Sequence, residues 1–185
     1  MTAAILCAAI LLAQPGPATS EQLATEFRDL VAKQQAPGWI GYRVPATPGE
    51  HNTCWNSEAR FPLESPESLV VAFRVERGEI DKIRVSSSNC RIDTGGLPTR
   101  WIDNVGANES VALLQSLAWQ DRRDLANTEL AAIALTDTPD GSATRALIQL
   151  ARWRGHPELQ KQAFFWLAHS QDSRALDFIE SLLTK

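Results

Sequence analysis

The chain has 185 residues, 18 Lys and Arg against 22 Asp and Glu, and a formal net charge of −4. That length fits one domain, or two small parts sharing an interface, and is enough to bury a real core. Mild acidity with scattered Lys and Arg excludes the basic stripe of a nucleic-acid binder.

Ala3 to Ala13 is an apolar run with one Cys, followed by Gln14-Pro-Gly-Pro-Ala18. It is short for a membrane span and suits the apolar region of a secretory signal, although no Lys or Arg precedes it. Residues 1–18 are therefore expected to be a signal peptide cleaved before Thr19, giving a secreted or periplasmic protein with no membrane span after cleavage. Cys7 would leave with the signal, and the remaining pair, Cys54 and Cys90, reads as one disulfide. The competing reading is metal, with His51, Cys54 and Cys90 as ligands, but a closed zinc site needs a fourth. No cofactor or metal is expected.

Residues 19–105 read as a helix plus a small β-module. Leu23, Phe27, Leu30 and Val31 give a one-faced helix over 19–34, and Thr19 and Gln22 have capping-box spacing. Trp39 to Val44 alternates toward a strand ended by Pro45, and 46–66 reads as a long loop pinned by Cys54. Ser68 to Ser87 is a hairpin. A three-residue loop, Glu76-Arg77-Gly78, pairs Phe73 with Asp81, Val71 with Ile83 and Leu69 with Val85, which keeps the apolar residues on one face. A short strand is expected near Arg100-Trp-Ile102.

Residues 106–185 carry a repeat. Asn108-Glu-Ser-Val, Asp140-Gly-Ser-Ala and Asp172-Ser-Arg-Ala each precede an apolar-periodic run, and the step between them is 32 residues both times. Asn and Asp are strong N-caps because a side-chain oxygen accepts from an orphan N–H of the first turn, so Asn108, Asp140 and Asp172 are the expected caps. Ala143, Ala146, Leu147, Leu150 and Ala151 lie on one helix face, Gly155 reads as a C′ residue, and Pro157 opens the next helix. The expected order is three A helices alternating with two B helices, a period typical of helical solenoids.

Leu159–Leu183, with Ala163, Leu167 and then Asp172-Ser-Arg-Ala-Leu176, resembles the HEAT-like repeats of many bacterial proteins. Upstream, Gly38-Trp-Ile-Gly-Tyr-Arg-Val-Pro45, Cys90-Arg-Ile-Asp-Thr-Gly-Gly-Leu-Pro98 and Trp101 resemble secreted, mostly uncharacterised HEAT-repeat-domain proteins. The resemblance implies an α+β chain whose β-module leads into a short α-solenoid, and it brings no catalytic residue.

Other motifs add no chemistry. Asp93-Thr94-Gly95 spells the aspartic-protease tripeptide, but that reaction needs two carboxylates sharing a proton and there is no second copy. His51, His156 and His169 are far apart, and no Gly-x-Ser-x-Gly, phosphate-binding loop or EF-hand occurs. Arg152-Trp-Arg154 reads as a solvated helix end with a packed Trp153.

The expected function is therefore protein–protein interaction or scaffolding rather than catalysis, with a hydrolase site between β-module and repeats, or a structural envelope role, as alternatives. The partner is expected to be a protein. Ala163-Phe-Phe-Trp-Leu167 is apolar nearly all round, and the last helix adds Leu176 and Phe178 off its main stripe. Phe164, Phe165, Leu176 and Phe178 are thus the candidate partner-binding residues, on a C-terminal end that would dock a partner or a second copy. The opposing expectation is that the last helix folds over Phe164 and Phe165 as a cap.

Overall fold

A computed structural model of the protein describes residues 19–48, 67–90, 92–120 and 123–184. Cys54, His51, the 1–18 segment and most of the expected 46–66 loop lie outside these residues. The order is α1 (Ser20–Lys33), β1 (Gly38–Pro45), β2 (Ser68–Glu76), β3 (Glu79–Ser87), β4 (Thr99–Trp101), α2 (Ala107–Ala118), α3 (Arg123–Leu135), α4 (Ser142–Ala151), α5 (Pro157–His169) and α6 (Ser173–Leu183). The fold is mixed α+β.

Thr19 caps α1 through the box anticipated from sequence: its side chain accepts from the Gln22 amide while Gln22 Oε1 accepts from the Thr19 amide. The helix buries Leu23 and Phe27, and Phe27 meets Phe73 of β2 edge-on at 4.7 Å between ring centroids. The sheet runs β3-β2-β1-β4, antiparallel except for the β1–β4 pair, which is parallel. Its inner face (Ile40, Tyr42, Val44, Leu69, Val71, Phe73, Val75, Ile83, Val85) forms one core with the helices. On the other face Trp39, Val70 and Ala72 pack with Ile92 and Leu97, so β2 is buried on both sides.

The hairpin register differs from the sequence expectation. The turn has two residues, Arg77 and Gly78, with φ of 55° and 76°, the doubly left-handed geometry of a tight hairpin in which glycine carries no Cβ penalty. Such a turn alone would place Ile83 and Val85 on the wrong face. A bulge corrects this: the partner jumps from Lys82 opposite Arg74 to Ile80 opposite Val75, leaving Asp81 as the extra residue. Phe73 then pairs with Ile83, Val71 with Val85 and Leu69 with Ser87. Asp81, held on the strand edge by the bulge, forms an ion pair with Arg74.

The helices follow the chain in successive hairpins. α2 contacts α3, α4 contacts α5, and α5 contacts α6; α2 also touches α4, α4 touches α6, and α3 touches α5. Buried positions recur between α2 (Ser110, Val111, Leu113, Leu114, Leu117, Ala118) and α4 (Ala143, Thr144, Ala146, Leu147, Leu150, Ala151). Each pair is 33 residues apart, one more than the step read from sequence. From α4 to α6 the step is 32, taking Ala143 to Ala175 and Ala146 to Phe178.

The N-caps keep neither step, falling at Gly106, Gly141 and Asp172. α2 begins at Ala107 with Gly106 as N-cap, so Asn108 sits inside the first turn. α4 has Gly141 as N-cap, and Asp140 stands one residue before it. Asp172 is the N-cap of α6, its side chain accepting from the Arg174 amide. Gly155 is also displaced: α4 ends at Ala151 with Arg152 as C-cap, and Gly155 lies in the turn leading to His156 and Pro157.

Candidate functional site

Three features meet the requirements of a site. The first is the seam between sheet and helices. Tyr42 of β1 points inward, Ser110 of α2 faces it, both are fully buried, and Ser110 Oγ donates to Tyr42 Oη at 2.9 Å. Burial pushes the Tyr42 phenol well above its ordinary pKa, partly opposed by the Ser110 hydrogen bond. A phenol held neutral in this way is a structural tie rather than an acid or base near neutral pH. Below it the chain is sewn again: Thr47 N–H donates to Leu135 O at 2.9 Å and Asp137 N–H to Pro45 O at 2.9 Å.

The second feature is a cleft at this seam. Its main chamber, about 510 Å³, lies between α1, the β2–β3 turn and α2. Phe27, Leu113 and Leu117, all buried, and the half-buried Val31 and Ile80 line its apolar part; Arg28, Ser116 and Gln120 supply polar groups. A smaller hollow of about 260 Å³ shares Val31, Gly78, Ile80, Leu117 and Gln120 and adds Glu79 and the buried Glu129. An apolar interior with few polar groups is the usual composition of a binding pocket.

The third feature is the edge formed by the starts of α2, α4 and α6, where the three Asx residues come together. Ser142 Oγ donates to Asn108 Oδ1 at 2.6 Å, and Asp140 Oδ1 accepts from the Ser142 amide at 3.1 Å. Arg145 and Arg174 both donate to the Asp140 carbonyl at 2.7 Å, while Arg174 Nε also reaches Asp172 Oδ1 at 2.9 Å. Gly141 has φ of 73°, and a Cβ on it would lie 2.0 Å from Arg174 Cζ, so only glycine admits this bridge. The Ser142 amide and Arg145 hold the Asp140 carboxyl below the usual range. At Asp172 burial opposes ionisation, yet hydrogen bonds from Arg174 and Thr144 outweigh it and the pKa is lowered. Farther along, Gln115 Nε2 donates to Gln149 Oε1 at 2.7 Å. These contacts knit α2, α4 and α6 side by side.

The residues expected to bind a partner divide. Phe178 is buried (6% exposed), stacked on Phe164 at 5.8 Å and covered by the Arg152 guanidinium at 5.1 Å. It belongs to the core because it occupies the α6 position equivalent to Ala146. Phe164 is half-buried against it, so neither is an open docking group. Phe165 (50% exposed) lies against His169, and Leu176 (58%) and Leu183 (82%) of α6 remain open. On a helix, Leu176 and Leu183 fall about a quarter turn from the Ala175 direction, opposite to Phe178. Arg174 reaches Asp140 just before α4 and Phe178 stacks on Phe164 of α5, so Leu176 and Leu183 lie on the side away from both helices.

Cys90 is buried in the turn that follows β3, its amide donating to Ser87 O at 3.0 Å; its expected partner lies outside the described residues. Asp93-Thr94-Gly95 forms an Asx turn, with Asp93 Oδ1 accepting from the Gly95 amide at 2.8 Å and Thr94 O accepting from Trp39 Nε1 at 3.1 Å. His156 lies tilted against Trp153, which in turn meets Trp119, and His169 Nδ1 lies 2.8 Å from Phe165 O. Among the described residues, no group of three His, Cys, Asp or Glu is placed to hold a metal, and no helix is long and apolar enough to cross a membrane.

The Tyr42–Ser110 tie and the residues lining the cleft escaped the sequence reading, which offered a site between β-module and repeats only as an alternative. Ser110 was visible as a hydroxyl on the apolar face of α2; the cleft draws on four separate segments and has no local pattern. Comparison with protein-family models, curated proteins and solved structures finds no match.

Proposed function

We propose that this chain is an exported HEAT-like repeat protein acting as a protein–protein interaction or scaffold module, with a Cys54–Cys90 disulfide in its β-module. Supporting the repeat reading are the helical hairpins, the side-by-side contacts of α2, α4 and α6, and the recurrence of buried positions 33 and then 32 residues apart. The observation that carries the binding reading is the open apolar side of α6, where Leu176 and Leu183 stand exposed one heptad apart on the side away from α4. Large exposed apolar side chains aligned on one helix face suit a partner helix better than water. The apolar interior of the cleft supports binding over catalysis as the general role.

The experiment is photo-crosslinking in producing cells, with a benzophenone amino acid at position 176 and, as a control, at Lys82 on the sheet. A discrete protein adduct from 176 and none from 82 is expected. No adduct from 176, or the same adducts from both positions, overturns the reading; an adduct of twice the chain mass identifies a second copy as the occupant.

A further inference from the structure

The geometry points to a second binding site, independent of α6: the 510 Å³ cleft between α1, the β2–β3 turn and α2 takes a small anionic amphiphile, an apolar chain with one negative head group. The volume lies within the roughly 300–1,000 Å³ of small-ligand sites, and the interior of Phe27, Leu113, Leu117 and Ile80 is apolar. Among the described residues, Arg28 is the one charged residue lining this chamber. Its guanidinium bonds to neutral acceptors of its own helix, Ala24 O at 3.0 Å from Nε and Thr25 Oγ1 at 3.4 Å from Nη2. A guanidinium has five N–H donors, so further donors and the full positive charge remain for a head group. Gln120, on the same lining, adds a neutral amide.

The smaller hollow sets the direction. Among the described residues, the exposed Glu79 lines the part reached through Ile80 and Leu117, and an anionic head there would meet like charge. The head therefore sits at the Arg28 end, with the chain along the apolar wall.

The probe is laurate, below its micelle concentration, titrated calorimetrically into the full chain, with uncharged 1-dodecanol as the comparison. Saturable one-to-one binding of laurate is expected, tighter than that of dodecanol. Arg28→Gln should weaken laurate roughly tenfold or more, the usual consequence of losing a charge-assisted contact, and leave dodecanol nearly unchanged. Ser116→Trp, placed on the exposed rim to fill the chamber, should abolish both. Circular dichroism and the urea midpoint of each variant establish that it is folded. No saturable binding, more than one equivalent per chain, equal affinity of Arg28→Gln for laurate, or full binding by a folded Ser116→Trp overturns the assignment. Because Leu176→Asp leaves this cleft intact, it should bind laurate normally, whatever the fate of the α6 contact.

Discussion

Ser110 Oγ donates a hydrogen bond of 2.9 Å to Tyr42 Oη, and neither residue is exposed to solvent. This polar contact within an apolar seam joins the sheet to the first helix of the helical part. Removing one partner strands the other in a site that water does not reach. Tyr42→Phe is therefore expected to cost about 1–3 kcal/mol. The double variant with Ser110→Ala should be less destabilised than the sum of the two singles, as read from urea midpoints in a double-mutant cycle. Strict additivity would mean that the contact carries no coupling.

Tyr42 is the single tyrosine of the chain, so phenolate absorbance reports it alone. Burial raises its folded pKa, while the unfolded phenol titrates near ~10. The stabilisation is thus fully present below pH ~10 and lost as pH rises toward the folded pKa. The phenolate band should appear together with loss of circular dichroism, well above the pH at which the urea-unfolded chain titrates. A phenolate band at the same pH in the folded chain contradicts the buried tie.

The Asx residues bring the opposite dependence. Asp140 and Asp172 have lowered pKa values in the folded chain and an unfolded value near ~3.9. Their contribution is present above that value and lost as pH falls through the folded pKa. The Asp140→Asn/Asp172→Asn variant keeps the acceptors but not the charges. Its urea midpoint should fall less between pH 5 and pH 2 than that of the natural chain, and an identical fall would show that these charges do not matter. Asp172→Ala, which removes the α6 cap itself, should cost about 1 kcal/mol.

The helix faces of this protein are legible in its sequence because burial there follows the 3.6-residue period, and the α1 capping box shows at once. What escaped depends on neighbours. The two-residue Arg77-Gly78 turn could not be chosen over a three-residue one without the bulge at Asp81, which is fixed by the facing strand and Arg74. Gly141 takes the N-cap place beside Asp140 because Arg174 fills the space above it, and Gly106 takes that of α2, where a Cβ would meet the Glu109 carboxylate. Phe178 looked spare on α6 alone and became core once Phe164 and Arg152 were beside it. The short strand expected near Arg100-Trp-Ile102 is present as β4, but its parallel pairing with β1 has no local signal because the partner strand lies far upstream.

Phe178 and Leu176 thus make contrasting tests. Phe178→Asp should cost about 3–5 kcal/mol or unfold the chain, since it places a charge between Phe164 and Arg152 in a packed site. Leu176→Asp, on open surface, should stay within about 0.5 kcal/mol of the natural chain. Equal losses in thermal or urea unfolding would mean that Leu176 is packed.

The disulfide is tested by counting thiols on protein taken from outside the cytoplasm. No free thiol without reduction and two after it are expected for the chain without its leader, and the 36-residue step from Cys54 to Cys90 corresponds to about 3–4 kcal/mol in the loop-entropy account. Two free thiols before reduction would end the pairing, and bound zinc in that sample would favour the metal reading.

The binding role of the open α6 face is tested most directly by the double variant Leu176→Asp/Leu183→Asp. Once the adduct from the 176 position has identified a partner, the natural chain and the double variant are each mixed with it and the complex measured by light scattering after gel filtration. The expected result is a complex with the natural chain and none with the double variant, while the two unfold at the same urea concentration. A double variant that is equally stable and still forms the complex in full yield would contradict the account.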